Sequence, residues 1–284
     1  MYILCDIGGT NMRITRSRDL ISFDEPIIQT TPRDFDEGIT LFAETAKKLS
    51  EGMKIRGIGG GVAGNLTPDK KTLHKAPHLP GWNGKALADS LAKACDTSVF
   101  LENDTAIVGL GEAVAGAGRG YNSVAYMTVS TGVGGVRLVG ERIDLSAMGF
   151  EPGHQIIDAS GGFRSAAGYV GGFGPTLEGV VSGTAITDRY KVKPYELTDE
   201  KFWDEMARLL AFGVNNTIVH WSPDVFVIGG SMMKKIGIPI DRVEAHLKGM
   251  LHIYPHLPVL KKAELGDIGG LHGALAYLNQ NIRK

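Results

Sequence analysis

The 284-residue chain is expected to fold as an α/β protein, and three observations point there. Apolar strand-like runs (2–7, 55–62, 97–102, 123–130, 135–140 and 224–228) alternate in places with stretches of helical periodicity (36–51, 84–95, 105–116, 200–220 and 270–281). Glycine is abundant at 39 residues while proline stands at 12, a balance that favours tight turns and close backbone approaches over disorder. One unit also occurs twice, over 2–19 and over 124–144: an apolar strand, a small-residue turn carrying a Thr, and an amphipathic return strand. Two copies in one chain suggest two related domains.

Bulk composition narrows the function classes. With 43% hydrophobic and 21% charged residues, the chain can bury a sizeable core in one large or two ordinary domains. Net charge is −1 and the Lys and Arg residues are scattered, so nucleic acid is not expected as a partner. Cys5 lies in a strand-like run and Cys95 in a helical one, so both read as small core residues, which suits a reducing cytoplasm. No apolar run approaches the ~20 residues that cross a bilayer, and the N-terminus enters a strand pattern without a basic leader. A soluble, cytoplasmic protein with no membrane partner is the expectation.

Three glycine turns follow apolar strands. Phosphate needs clustered backbone N–H groups, and glycine lets the main chain come close to it. Asp6-Ile7-Gly8-Gly9-Thr10-Asn11 forms one such turn, and Asp6 at its strand end could hold Mg²⁺ through water. Ser130-Thr131-Gly132-Val133-Gly134-Gly135 repeats the arrangement, and Ile228-Gly229-Gly230-Ser231 ends a third strand where a nucleoside could rest. A phosphate-binding Gly-x-x-x-x-Gly-Lys-[Ser/Thr] motif is absent. Gly59, Gly61 and Gly64 spell G-x-G-x-x-G, yet Asn65-Leu66-Thr67-Pro68-Asp69 comes next and cannot open the helix a dinucleotide fold demands. Those glycines are expected to shape a substrate loop instead.

The chemistry-bearing carboxylate is expected at Asp104, where Val99-Phe100-Leu101-Glu102-Asn103-Asp104 passes from strand to helix. Asp104 also suits the N-cap of the helix 105–116, and capping is compatible with catalysis. Glu151, His154 and Glu178 are hydrogen-bonding groups suited to vicinal sugar hydroxyls.

Taken together, these segments resemble the ROK family of sugar kinases (repressor, open reading frame, kinase), within the actin-like ATPase superfamily, over essentially the whole chain. Asp6 through Asn11 resembles the first phosphate motif, Thr131 through Gly135 the second, and Gly229-Gly230 the adenosine motif. The stretch from Gly64-Asn65 to Trp82 resembles the sugar-loop region, with His78 where the family often has Asn. Asp104 matches the family's base, Asn103 a sugar contact, and Glu151, His154 and Glu178 its sugar-binding Glu, His and Glu. Many members hold a structural zinc with the motif His and three Cys, but 158–175 contains no Cys, so zinc is not expected here. Repressor members carry a helix-turn-helix ahead of the kinase region. This chain starts at the first phosphate motif, so DNA binding is not expected.

The resemblance implies a two-domain, ribonuclease H-like fold with a central cleft, in which 1–106 plus 272–284 make a small α/β domain and 107–271 a large one. It implies ATP and Mg²⁺ as cofactors, a small-molecule sugar as substrate and a homodimer. Asp104 would accept a proton from a primary sugar hydroxyl that attacks the γ-phosphate. Glucose leads as substrate, with an N-acylhexosamine or fructose as alternatives that the pocket around Gly61, Asn65 and His78 would decide. A catalytically silent sugar sensor and an actin-like ATPase acting on a protein partner are the readings outside sugar phosphorylation.

Overall fold

The computed structural model describes residues 1–158, 174–234 and 236–282. The chain divides into two compact units, Met1–Gly116 with Leu265–Lys284, and Ala117–Glu264.

In the first unit, a five-stranded sheet has the order β3-β2-β1-β4-β7, formed by β1 (Tyr2–Ile7), β2 (Asn11–Ser17), β3 (Ile27–Thr30), β4 (Ile58–Val62) and β7 (Val99–Asn103). Pairs β1–β2 and β2–β3 are antiparallel, whereas β1–β4 and β4–β7 are parallel. A two-stranded ribbon, β5 (Asn65–Leu66) and β6 (Leu73–Lys75), lies beyond β4 in sequence. Strand β1 is apolar on both faces because helices cover both. Ile3, Cys5 and Ile7 join Phe42 of α1 (Phe35–Ser50) and Leu91 of α2 (Leu87–Cys95) in one core cluster. Tyr2 and Leu4 join Leu271, Leu275 and Leu278 of α8 (Gly269–Asn281) in another. Alternation along a strand therefore sends Asp6 to the α8 face.

Helix α3 (Asp104–Ala115) runs against α8 with almost no side chains between them. A Cβ on Gly273 would overlap the carbonyl oxygen of Ile107, and one on Gly111 the carbonyl oxygen of Gly269. This contact explains why the helix beginning at the expected catalytic residue is written in Gly and Ala. It also moves the unit boundary. The expected break at 106/107 would cut α3 one turn after its start, whereas α3 remains whole in the first unit, and the chain rejoins that unit at Leu265 rather than at 272.

The second unit repeats the sheet. Strands β8 (Ser123–Val129), β9 (Val133–Val139), β10 (Arg142–Ile143), β11 (Val225–Gly229) and β12 (Val259–Lys262) take the order β10-β9-β8-β11-β12. Their pairings are antiparallel, antiparallel, parallel and parallel in the same sequence as in the first unit. The repeated hairpin noticed in the sequence is thus the start of a repeated five-stranded sheet. Helices α4 (Leu177–Val181), α5 (Gly183–Tyr190), α6 (Glu200–Trp221) and α7 (Ile240–Lys248) complete the unit, whose core joins Phe226 and Ile228 to Leu210, Val214 and Val243. Among the described residues, no helix is long and apolar enough to cross a membrane.

The helical runs 36–51, 84–95, 105–116, 200–220 and 270–281 correspond to α1, α2, α3, α6 and α8. The G-x-G-x-x-G expectation needs correction. Gly59 and Gly61 lie inside β4, on the face covered by the helix pair. A Cβ on Gly59 would press on Leu278, and one on Gly61 would sit 3.1 Å from the Asp104 Cα. These glycines let α8 and α3 lie flush on the sheet rather than forming a loop. Gly64 does turn, at φ +131°, and β5 comes after it in place of a helix.

Candidate active site

Asp104 is the first residue of α3, and the cap expected of it belongs to its neighbour. Asn103 accepts the Ala106 N–H at 3.2 Å through Oδ1 and donates to the Gly64 carbonyl oxygen at 3.1 Å through Nδ2. Its side chain thus caps the helix and ties down the Gly64-Asn65 turn, while Asn65 itself is exposed. Freed of capping, the Asp104 carboxylate accepts the N–H of Thr105 at 2.8 Å. Burial, reinforced by the negative charge of Asp6, pushes its pKa up to about 7, against the opposing pull of the Thr105 N–H. A carboxyl group titrating near neutrality suits general base catalysis at physiological pH.

Asp6 is the penultimate residue of β1, with its Oδ2 3.7 Å from Arg13 Nη1, the two residues being cross-strand partners in β1–β2. Burial raises its pKa, Arg13 lowers it and Asp267 raises it again. Gly270, in the first turn of α8, makes room for the carboxylate, since a Cβ there would sit 2.9 Å from the Asp6 Cγ. A partly buried carboxylate held loosely by one Arg fits a cation. Magnesium suits this donor set, because it takes one or two carboxylates and completes its shell with water and phosphate. Among the described residues, no group of three or more His, Cys, Asp or Glu makes an all-protein cage.

The turn after β1 is held from within. Gly8 N–H donates to the Asn11 carbonyl oxygen at 2.9 Å, and Thr31 donates its hydroxyl to the Gly8 carbonyl oxygen at 2.7 Å. Gly9 is obligatory for a reason internal to the unit: a Cβ there would overlap the Cβ of His78. His78 belongs to a segment anchored by Trp82, which is buried against Gly38 and donates its indole N–H to the Pro32 carbonyl oxygen at 3.1 Å. Among the described residues, the N–H groups of Gly9 and Thr10 at the tip of the turn have no acceptor.

The turn after β8 has the same character. Ser130 N–H bonds to the Gly132 carbonyl oxygen at 2.8 Å, and among the described residues the N–H groups of Thr131 and Gly132 lack acceptors. Glu178, expected at a sugar, holds this turn: its Oε2 accepts the Val133 N–H at 2.7 Å, and a Cβ on Gly132 would meet that oxygen at 2.6 Å. Gly134 continues into the β8–β9 ladder opposite Thr128. Gly229 closes β11, and Gly230 turns the chain at φ +99° into Ser231, whose hydroxyl lies 2.9 Å from that of Ser130. The expected helix start is here only a single short turn, Ser231–Met233, and α7 begins at Ile240. Beside these turns opens a cavity of about 420 Å³ lined by Thr131, Thr187, Asp188, Lys193, Tyr195 and Ser231. Glu151 and His154 flank the buried Pro152-Gly153 turn on β9 and are both exposed. The expectation about zinc concerns 158–175, and residues 159–173 lie outside the described residues.

The structure sets the expected Asp104 at the start of α3, Asp6 near the end of β1 and the two turn tips directly after β1 and β8. Sequence reasoning named neither Thr31 nor Gly270, nor a charged pair beside Asp104: Glu102, 8% exposed, accepts Lys70 Nζ at 2.8 Å and the Asn103 N–H at 2.9 Å through one oxygen, Oε1. No local pattern marks these three, because each partner is distant in sequence.

Known proteins give the site a context. A glucokinase from Thermotoga maritima is 33% identical over 193 residues, 64% of this chain and 57% of that protein. An N-acetylgalactosamine kinase from Shewanella sp. strain ANA-3 is 27% identical over 302 residues, covering 96% and 95% of the two chains. The crystal structure of a ROK hexokinase from Thermus thermophilus superposes with a TM-score of 0.85 at 25% identity over 99% of each chain. The sequence profile of the ROK family matches residues 2–281, and the chain belongs to the ROK family.

Proposed function

We propose that this protein is an ATP-dependent sugar kinase that phosphorylates a hexose at its primary hydroxyl, with glucose as the leading substrate. The observation that carries this proposal is the Asp104 carboxyl, set at the head of a rigid helix pair with a pKa near 7. A pure sensor has no need of such a base.

In the proposed reaction, Asp104 accepts the hydroxyl proton as the sugar oxygen attacks the γ-phosphorus. The bond from that phosphorus to its bridging oxygen breaks, and ADP leaves with the electron pair. The paired open amides of Gly9 and Thr10, and of Thr131 and Gly132, are suited to phosphate oxygens. Mg²⁺, when bound, supplies positive charge against the phosphate oxygens, and Asp6 is the residue that would hold it. The cavity beside Thr131, with Tyr195 and Asp188 in its wall, supports a nucleoside as donor. Glu151 and His154 remain the proposed sugar contacts of the second unit. Glu178 and Asn103 are assigned to holding the turn and the helix, and contribute to the sugar site through them.

The relatives named N-acetylgalactosamine kinase and glucokinase keep an N-acylhexosamine in view as the alternative acceptor. A coupled ADP-release assay with ATP–Mg²⁺ against glucose, mannose, fructose, N-acetylglucosamine and N-acetylmannosamine ranks these possibilities. Sugar-dependent turnover lost in Asp104→Asn is the expected result. Calorimetric sugar binding without ADP release would establish the sensor instead.

A further inference from the structure

The segment 67–72 is a turn knit almost entirely by its own atoms. Thr67 N–H donates to the Thr72 carbonyl oxygen at 2.9 Å, the Thr67 hydroxyl accepts the Thr72 N–H at 3.0 Å and donates to Asp69 at 2.6 Å, and Lys70 N–H donates to the Thr67 carbonyl oxygen at 2.8 Å. The neighbouring Lys71 carbonyl oxygen receives the Ala88 N–H at 3.0 Å, which pins the turn to α2. At its tip stands Lys70 with φ +60°, a left-handed conformation that a lysine adopts at a cost and that glycine or asparagine adopts readily. What the lysine adds at this position is its ammonium group, which meets the Oε1 of the buried Glu102 at 2.8 Å. That same oxygen accepts the N–H of Asn103, and the next residue is Asp104. A second bond runs parallel to it, from Asn103 Nδ2 to the Gly64 carbonyl oxygen. Alternation along β7 places Glu102 on the α8 face of the sheet, the face of Phe100 and Tyr277. The carboxylate is buried while the ammonium group stays partly exposed, so the pair is a charge-assisted hydrogen bond anchored on its glutamate side.

We infer that Lys70 is a positioning residue: through Glu102 it locks the Gly64–Thr72 segment to the backbone immediately ahead of Asp104, and so sets the fit of the sugar against the base. The inference rests on the sugar-kinase proposal, since it gives this segment the acceptor. Neither Lys70 nor Glu102 touches the substrate. Their effect passes through the orientation of Asn103 and Asp104 and through the place of Asn65.

The test exploits the strained backbone. Lys70→Gly removes the ammonium group but relieves the left-handed residue, so the variant keeps or gains thermal stability. Its sugar KM is expected to rise about tenfold, and kcat to fall by a similar factor, with the KM for ATP unchanged. Lys70→Met repeats the kinetic change without the stabilisation, and Lys70→Arg restores most of the activity. Glu102→Gln keeps an oxygen for the Asn103 N–H and loses the charge, so its kinetic effect matches that of Lys70→Gly and is not additive with it. Wild-type sugar constants in Lys70→Gly, an equal shift in both KM values, or full additivity with Glu102→Gln would each overturn the inference while leaving the kinase proposal standing. Absence of sugar turnover in the wild-type protein would instead remove the proposal on which it rests.

Discussion

At the scale of the residue, the proposed chemistry turns on one carboxyl group whose surroundings work against its charge. Asp104 binds its proton more tightly in the folded chain than in the unfolded one, because burial and Asp6 both disfavour the anion. A base must be deprotonated to act, so kcat/KM should be flat above pH 8 and fall about tenfold per unit below pH 6. A pH–rate profile checks this, and an acid limb centred near pH 4 would contradict it. Stability has the opposite dependence. A carboxyl whose folded pKa is raised loses its stabilising contribution as pH climbs from the usual carboxylate range through about 7. Asp104→Asn escapes that loss, so its melting temperature should exceed the wild-type value at pH 8, with the gap closing towards pH 4. The same substitution should lower kcat by 10²- to 10⁴-fold, with sugar affinity largely retained. The sequence located Asp104 because strand-to-helix junctions are local features. It assigned the cap one residue too late, since Asn103 and Asp104 both have capping side chains and only the backbone decides between them.

At the scale of the element, the proposed base is held by a helix pair in direct backbone contact. Because a Cβ on Gly273 would overlap the Ile107 carbonyl oxygen, Gly273→Ala must push α3 and α8 apart. We expect a loss of about 1–3 kcal/mol, read by denaturant titration, together with reduced turnover because Asp104 begins α3. Gly249→Ala is the control. That residue has helical φ of −80°, and its nearest neighbour, the His246 carbonyl oxygen, stays at 3.4 Å, so little change is expected. Helices such as α3 and α8 were visible in the sequence as periodic runs. Their partnership was not, because 158 residues separate Gly111 from Gly269 and small residues announce close packing without naming the partner. The same limit hid the meeting of Gly9 with His78 and of Thr31 with Gly8. The short helices α4 and α5 offered too few turns for a period to stand out.

At the scale of the whole molecule, each unit has a buried core of its own. Among the described residues, the buried members of the cluster around Phe226 come from residues 125–251, and those of the clusters around Ile3 and Leu4 from the first unit. Scanning calorimetry should therefore resolve two transitions that move independently. Trp82→Ala, costing about 3–5 kcal/mol, should lower one, and Phe226→Ala the other. A single transition lowered by both substitutions would mean that the units unfold together. Sequence alone revealed the duplication through its hairpins, since strand–turn–strand units are contiguous. The remaining strands of each sheet are scattered across the chain, and their matching order emerges only from the pairings.

The route of the chain has a consequence for its birth on the ribosome. Strand β1 is made long before α8, yet Tyr2 and Leu4 are covered by Leu271 and Leu278. At ordinary translation speeds, roughly ten to thirty seconds separate the emergence of Gly116 from that of α8. Throughout that interval one face of the nascent first sheet lacks α8, one half of the helix pair that covers it, while the whole of Ala117–Glu264 is synthesised and free to fold. The inserted unit is thus the earlier to mature, and a chaperone that shields apolar strands would find its natural client in the segment Met1–Gly116 of the growing chain.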